Sequence, residues 1–285
     1  MIPSTDKTIR TYEASAASLN PVAALVAAWR EIYYSRTAIW HLFKRDFTAG
    51  FRQQILGYLW IVITPLIGVA SFVFMQKAGI LNPGQLSMPY PIYVFIGTSI
   101  WGLFISSVTT VAGGLINNSD LVMRTNIPKI GLALTGLAKI AYSLLVNIAV
   151  LLVLLWIFRT PPSALAILYP FAVLPIIFFG VGLGLVLSVV GAVARDITNV
   201  CTTLIALVMY ITPVAYSPDF KNQTVQNIIN WNPMTYLVDS PRSLFVTGDL
   251  RSGIAFLSAT LLSLLVLWVG AYAFYLIKDK VTERL

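Results

Sequence analysis

Long stretches of this chain contain no charged residue, and that feature constrains the fold more than any other. The charge-free stretches are residues 53–76, 78–119, 140–158, 160–194, 197–218 and 252–277. About 20 consecutive apolar residues cross the hydrocarbon core of a bilayer as a helix. A helix also satisfies its backbone polar groups internally, as a lipid environment requires. The sequence therefore predicts an all-α membrane protein with six transmembrane helices.

The composition excludes several other classes of protein. Hydrophobic residues make up 58% of the chain and charged residues only 11%, whereas a soluble domain has about 25% charged residues. This balance excludes an ordinary soluble enzyme, a disordered protein and a nucleic-acid-binding domain. With one cysteine, Cys201, and one histidine, His41, the chain forms no internal disulfide and no multi-histidine metal site. We expect no metal and no cofactor in this chain.

The distribution of positive charge predicts the orientation. Six spans place both termini on the same side of the membrane. With a cytosolic N-terminus, the cytosolic segments hold 13 Lys and Arg residues and the opposite segments hold 5, with Lys139 left out because it sits near a membrane end. The positive-inside rule then places both termini in the cytosol. A cleaved signal peptide around residues 22–28 is the alternative, but that apolar run is short.

The chain divides into four parts. Residues 1–36 form a polar N-terminal extension, residues 57–280 the six-span domain and residues 281–285 a cytosolic tail. Between them, residues 37–56 carry apolar side chains every four residues, opposite a cationic face. This pattern predicts an amphipathic helix in the cytosolic headgroup layer. A surface helix packed on a soluble partner is the alternative.

A long segment precedes the last span on the non-cytosolic side. Residues 219–250 include an amphipathic stretch with Trp231 and Tyr236. We expect one or two short re-entrant or interfacial helices here, buried against protein where they enter the membrane. A plain extracellular loop is the alternative.

The sequence lacks the motifs of several catalytic classes. No GxxxxGK[ST] segment is present to hold ATP phosphates, and HExxH, GxSxG and CxxC are also absent. The predicted spans contain almost no Asp, Glu or His, which disfavours an ion- or proton-coupled secondary carrier. A membrane enzyme such as a polyprenyl-phosphate glycosyltransferase would need acidic residues, and Asp219, Asp239 and Asp249 are widely spread. Both classes remain alternatives to a transport permease.

Aromatic side chains lie within or beside the predicted spans. Sugar rings stack on such side chains. Neighbouring hydroxyl groups in the second predicted span would bind sugar hydroxyls, namely those of Ser99, Ser106, Ser107, Thr109 and Thr110. We therefore interpret the aromatic residues as candidates for lining a glycan channel. Lipid-facing or helix-packing bulk is the alternative for each of them. The channel candidates are Tyr58, Trp60, Phe72, Phe74, Phe95, Trp101, Phe104 and Tyr210.

Short motifs, taken in order, resemble a known family. The motifs are Arg45-Asp46, Leu56-Gly57-Tyr58-Leu59-Trp60 with Pro65, Asn118 to Leu121, Ile127-Pro128-Lys129, Arg195-Asp196, Thr212-Pro213-Val214 and Asn232-Pro233-Met234-Thr235. Their order and spacing over residues 37–280 resemble the permease subunits of bacterial type-2 ABC polysaccharide exporters. The resemblance is greatest to exporters of lipid-linked O-antigen, and teichoic-acid and capsule exporters are similar.

The resemblance implies a mechanism. The permease would pair with itself around a channel in the bacterial cytoplasmic membrane, and two copies of a separate ATPase would bind ATP and Mg²⁺. Arg45 and Arg52 would attract the phosphate headgroup of the lipid-linked glycan, since arginine binds phosphate oxygens bidentately; anchoring to anionic lipids is the alternative. The cytosolic loop and the turn after the fourth span would contact the ATPase, although Arg195-Asp196 is alternatively a plain topology signal. The residues implied in ATPase coupling are Asn118, Asp120, Arg124, Pro128, Lys129, Arg195 and Asp196.

Overall fold

The computed structural model describes residues 33–52, 59–118 and 129–281, together with residues 26, 29 and 30. Within this part of the chain the regular structure is entirely helical. Its α-helices are α1 (Arg36–Arg52), α2 (Leu59–Lys77), α3 (Tyr90–Gly113), α4 (Lys129–Leu134), α5 (Leu137–Ile157), α6 (Tyr169–Val193), α7 (Arg195–Leu207), α8 (Gln223–Trp231), α9 (Pro233–Val246) and α10 (Gly253–Val281). Short 3₁₀ turns cover Ile116–Asn118, Ala164–Leu168 and Val208–Tyr210.

Helices long and apolar enough to cross a membrane confirm the all-α membrane class. Four such stretches lie in the described residues: Tyr90–Gly113, Lys129–Ile157, Ala164–Gly191 and Gly253–Ile277. The other two predicted spans correspond to shorter apolar helices, Val62–Lys77 and Asp196–Tyr210. Six crossings and two cytosolic termini therefore stay predictions.

The fifth predicted span, residues 197–218, is not helical over its whole length. Helix α7 ends at Leu207, and a 3₁₀ turn continues to Tyr210. Pro213 follows closely, and a proline both lacks an N–H donor and restricts the residue before it. The 13 residues of α7 reach only about 20 Å, which is short of a hydrocarbon core roughly 30 Å thick.

Helix α6 packs between α3 and α10 through closely spaced glycines. An added Cβ at Gly180 or Gly184 would lie 2.9 Å from a backbone carbonyl oxygen of α3. At Gly182 it would lie 2.6 Å from the Val266 carbonyl of α10. Larger residues would force these helices apart, so the spacing of Gly180, Gly182 and Gly184 allows the three helices to pack closely.

Two short helices precede the last long helix. Asn232 ends α8 and caps α9, accepting a hydrogen bond from the Met234 N–H at 3.0 Å. Helix α9 then enters the bundle, where Leu237 and Val238 are fully buried. Two helices rather than a plain loop therefore occupy this segment. The Asn232 side chain supports the change of direction between them. Their depth in a membrane stays a prediction.

Helix α1 lies against α4. The end of the Ile39 side chain sits over Gly131, where an added Cβ would be 2.8 Å from it. Leu42 packs against the core of the bundle, while Trp40 is 53% exposed. The amphipathic helix predicted over residues 37–56 is thus helical to Arg52, and residues 53–58 lie outside the described part of the chain.

Candidate functional site

The predicted channel aromatics occupy different environments. Phe95, Trp101 and Phe104 are at most 4% exposed and belong to the core of the chain itself. The ring centres of Trp101 and Phe104 lie 5.1 Å apart, and those of Phe104 and Phe179, a residue of α6, lie 6.0 Å apart. Phe104 therefore packs α3 against α6, and all three rings are buried within the chain. Their contact with a glycan stays a prediction.

The remaining candidates are more accessible or fall outside the described residues. Phe74 is 69% exposed on α2 and Tyr210 is 73% exposed after α7, whereas Phe72 is half-buried against the core. Tyr58 lies outside the described residues, as does the side chain of Trp60. Phe74 and Tyr210 are therefore the predicted aromatic residues that this chain presents at its surface.

A polar cleft between α3 and α7 was not singled out from the sequence. It encloses about 260 Å³. Hydroxyl and amide side chains line it together with Ala112, Gly113 and Ile116, and none of the lining side chains that the structure describes is charged. The lining residues are Thr109, Ala112, Gly113, Ile116, Asn117, Thr198, Asn199 and Thr202. We call this feature the polar cleft; its chemistry suits uncharged, hydroxyl-rich ligands.

The polar cleft had a readable signal in the sequence. Ser106, Thr109, Gly113 and Asn117 follow one another at intervals of three or four residues, so they share one helical face. Ser106, Thr109 and Asn117 are exposed. The hydroxyl groups were predicted to bind sugars, but their common helical face was not recognised. The position of α7 beside α3 has no local signal in the sequence.

The headgroup candidate Arg45 contacts a coupling candidate. Its Nη2 donates a hydrogen bond to Oδ1 of Asn118 at 3.0 Å. Asn118 is 8% exposed, and its Nδ2 donates to the Gly114 carbonyl at 2.9 Å. Two residues assigned to different roles are therefore directly linked. The side chain of Arg52 lies outside the description.

The turn that carries Asn118 contacts the end of α6. Ile116 of that turn lies against Gly191, where an added Cβ would be 3.2 Å from the end of the Ile116 side chain. Arg195 begins α7 four residues after Gly191. Asp196 is exposed in the first turn of α7, where the helix dipole favours a carboxylate.

Other members of the coupling set are only partly described. Lys129 begins α4 and is half-buried. The side chain of Arg195 is not described, and Asp120, Arg124 and Pro128 lie outside the described residues. The structure therefore places Asn118, Lys129 and Asp196, and the roles of the whole set stay predictions.

A buried arginine joins several elements at the opposite end of α3. Arg242 of α9 is 1% exposed, and its Nη1 donates to Oδ1 of Asp239 at 3.1 Å. Its Nη2 donates to the Val214 carbonyl at 2.8 Å and to the Pro213 carbonyl at 3.2 Å. The guanidinium carbon lies 3.8 Å from the centre of the Tyr93 ring. These five residues form what we call the Arg242 network.

The Arg242 network explains one of the sequence motifs. The Thr212-Pro213-Val214 turn has carbonyl groups outside any helix, and Arg242 supplies the donors for those of Pro213 and Val214. In the sequence, Arg242 is one of the 5 Lys and Arg residues predicted on the non-cytosolic side. The i,i+3 spacing from Asp239 was the available signal for an ion pair, but the spacing alone does not show burial.

Arg251 extends the network toward the surface. It forms an ion pair with Asp219, and its Nε lies 3.5 Å from Oδ2 of Asp239. Partial burial opposes its charged form, but the hydrogen bond that Arg251 donates to Asp219 and the charge of Asp239 outweigh that effect and raise the pKa of Arg251. It therefore stays cationic at physiological pH.

Comparisons with known proteins agree with this architecture. The chain is 27% identical over 210 residues to the O-antigen export system permease protein RfbA of Klebsiella pneumoniae, covering 73% of this chain and 80% of that protein. It is 23% identical over 262 residues to RfbA of Myxococcus xanthus, covering 90% of this chain and 98% of that protein. The model of the ABC-2 type transporter family matches residues 37–246. This match spans most of the chain and, together with its apolar helices, shows that it is a multi-pass membrane protein of the ABC-2 type transporter family, a transport permease.

Proposed function

We propose that this chain is the permease subunit of an ATP-driven exporter of lipid-linked polysaccharide in the bacterial cytoplasmic membrane. The observation that supports this most is the similarity to permeases named for O-antigen export, one of which is matched over 98% of its length. O-antigen is therefore the favoured cargo, with teichoic-acid or capsule polysaccharide as the alternative within the same mechanism.

Two copies of the chain form the channel in this proposal, with two copies of a separate ATPase bound below. The chain has no GxxxxGK[ST] segment of its own, which supports an ATPase on another polypeptide that binds ATP and Mg²⁺. The coupling set, from Asn118 to Lys129 together with Arg195 and Asp196, contacts that ATPase. Arg45 and Arg52 attract the lipid phosphate.

The polar cleft contributes a glycan-facing surface in this proposal. Its hydroxyl and amide groups exchange hydrogen bonds with sugar hydroxyls without the strong attraction that a charged group would add. A long glycan slides only if each contact is weak. The exposed rings of Phe74 and Tyr210 are the aromatic residues best placed to add stacking contacts.

The test is ATP hydrolysis in nanodiscs by this chain co-purified with the ATPase encoded beside it. We expect undecaprenyl-linked glycan to stimulate hydrolysis. Proton- or sodium-driven flux by the chain without any ATPase would contradict the proposal and identify a secondary carrier.

A variant pair tests the polar cleft. Thr202→Val removes a hydroxyl group from the cleft at nearly constant volume, and we expect weaker stimulation by glycan. The matched control is Thr260→Val on α10, where the Thr260 hydroxyl donates within its own helix at 2.8 Å. Equal losses in both variants would count against a glycan-facing cleft.

A further inference from the structure

A largely apolar groove lies at the end of α5. Its volume is about 770 Å³, and residues between Leu152 and Pro162 line it. A second cavity of about 280 Å³ shares Leu152 and Pro162 with the groove and reaches Phe245 of α9. We call the two cavities together the α5 groove. Helix α5 belongs to a stretch long and apolar enough to cross a membrane, and Trp156 in the wall is 81% exposed, so lipid chains reach this groove.

Hydrogen bonds to α9 hold one wall of the α5 groove in place. Ser163 directly follows Pro161 and Pro162. Its N–H donates to the Phe245 carbonyl at 3.0 Å, and its hydroxyl donates to the Leu244 carbonyl at 2.6 Å. The two prolines restrict the backbone of the same wall. The groove is therefore preformed, and a ligand enters it at little cost in ordering the chain.

Arg159 lines the groove in a backbone conformation that favours glycine. Its φ is 51°. Its N–H donates to the Trp156 carbonyl at 3.3 Å, and the Thr160 N–H donates to the Leu155 carbonyl at 3.0 Å. These two bonds form the Schellman ending of a helix, in which glycine is the usual residue at the position of Arg159. The turn itself therefore does not require an arginine, and its side chain has a use of its own.

The charge of Arg159 suits an anion. The residue is exposed. Among the described residues, no carboxylate pairs with Arg159 and none lines the α5 groove. Arginine binds phosphate oxygens bidentately. A cation beside apolar walls therefore matches a ligand that carries a phosphate next to hydrocarbon chains.

We propose that the α5 groove binds an anionic phospholipid, with its phosphate on the Arg159 guanidinium and an acyl chain along Leu152 and Trp156. Phosphatidylglycerol fits this chemistry, because its headgroup lacks the amine that offsets the phosphate charge in phosphatidylcholine. The proposal goes beyond export, since it concerns a lipid that stays bound to the permease rather than one that passes through it.

Native mass spectrometry of the full-length chain in detergent tests the proposal. Phosphatidylglycerol and phosphatidylcholine with the same acyl chains are titrated separately, and we expect the wild type to bind the first lipid more tightly. Arg159→Gly keeps the turn and removes the cation. We expect it to bind phosphatidylglycerol roughly fivefold more weakly, the factor that one cation near an anionic lipid usually contributes, and to bind phosphatidylcholine as before.

The melting temperature without added lipid separates this role from a structural one. Because glycine adopts a positive φ without strain, Arg159→Gly should melt at the same temperature as the wild type or higher. A merely structural role for Arg159 predicts the opposite, namely a lower melting temperature with unchanged lipid preference.

Two further variants test the apolar walls and the specificity of the charge. Leu152→Trp fills the groove, so we expect weaker binding of both lipids. The matched control is Val153→Trp, because Val153 is 55% exposed but does not line either cavity. Lys77→Gln removes an exposed cation from the end of α2 and should bind both lipids as the wild type does.

Four results would overturn the inference. The first is equal binding of the two lipids by the wild type. The second is a loss in Lys77→Gln as large as that in Arg159→Gly, which would indicate general attraction to positive charge. The third is the same binding in Leu152→Trp as in Val153→Trp. The fourth is displacement of phosphatidylglycerol by glycerol 3-phosphate, which would identify a site for a free phosphate group without chains.

Discussion

The Arg242 network and the α1 joint, which we define as the contacts of Arg45 with Asn118 and of Ile39 with Gly131, each use an arginine to connect distant elements, but they differ in burial. Arg242 is 1% exposed and its charge is balanced by the buried carboxylate of Asp239. Arg45 is exposed on α1 and donates a hydrogen bond to the amide oxygen of Asn118. The first arrangement is shielded from solvent, whereas solvent reaches the arginine of the second.

The difference in burial fits the position of each arginine in the fold. The Arg242 network joins α3, the turn after α7, and α9, and a buried ion pair with backbone acceptors keeps these in one geometry. The α1 joint lies beside the predicted ATPase contacts, where a transporter must change shape during its cycle. The predictions below test whether the first region is rigid and the second adjustable.

The largest difference between the two regions is expected when each arginine is replaced in turn. Arg242→Gln removes the buried partner of Asp239 and leaves that carboxylate only the longer contact with Arg251, which costs about 3–5 kcal/mol of folding stability. Arg45→Gln loses the part-buried hydrogen bond to Asn118, and we expect a smaller cost of about 1 kcal/mol. Thermal unfolding in detergent ranks the two variants. The double variant Arg242→Gln/Asp239→Asn should recover part of the loss, and equal melting temperatures for the two single variants would refute the comparison.

Glycine substitutions sharpen the comparison next. A Cβ at Gly97 would overlap the Val214 carbonyl and the Arg242 guanidinium, whereas at Gly131 it meets the flexible end of Ile39. We expect Gly97→Ala to cost about 1–3 kcal/mol, through overpacking, and Gly131→Ala much less. Melting temperatures measure both.

Gly102→Ala is the control for the glycine pair. An added Cβ there has nothing within 4 Å, and alanine favours a helix by up to about 1 kcal/mol over glycine. This variant should therefore match or exceed the stability of the wild type. Comparable losses at Gly97 and Gly131 would show that the two contacts are equally rigid.

A smaller effect is expected at the junction between α8 and α9. Asn232→Ala removes the cap of α9 and a hydrogen bond to the Thr212 hydroxyl at 3.0 Å. We expect a loss of about 1 kcal/mol, the usual value for an N-cap. Asn222→Ala removes the cap of the exposed helix α8 and serves as the comparison. A greater loss of stability at Asn222 would contradict the view that α9 contributes more than α8 to the stability of the bundle.

The smallest effect is expected at the surface end of the Arg242 network. Arg251 is 44% exposed and pairs with the exposed Asp219. Arg251→Gln should cost under about 1 kcal/mol, because exposed ion pairs contribute little and salt screens them. Unfolding at low and high ionic strength checks this. A loss as large as that of Arg242→Gln would extend the rigid region to the surface.

Local features of the chain allowed much of the fold to be predicted. The charge-free stretches locate the helices because membrane burial selects apolar residues directly. The Asn232-Pro233 pair marks a helix start because capping is a local interaction. The glycines of α6 indicate close packing because a residue without a side chain lets another helix approach. Less of the site was predicted, because the burial of Phe95, Trp101 and Phe104 depends on neighbouring helices.

The sequence by itself determined the membrane class, most helix positions and the motifs that place the chain among transport permeases. The tertiary structure alone decided which polar groups meet. Arg242 reaches the Pro213 carbonyl across 29 positions of the chain, and Arg45 reaches Asn118 across 73. Such contacts leave no local pattern, since a side chain is buried or paired only when distant segments pack around it.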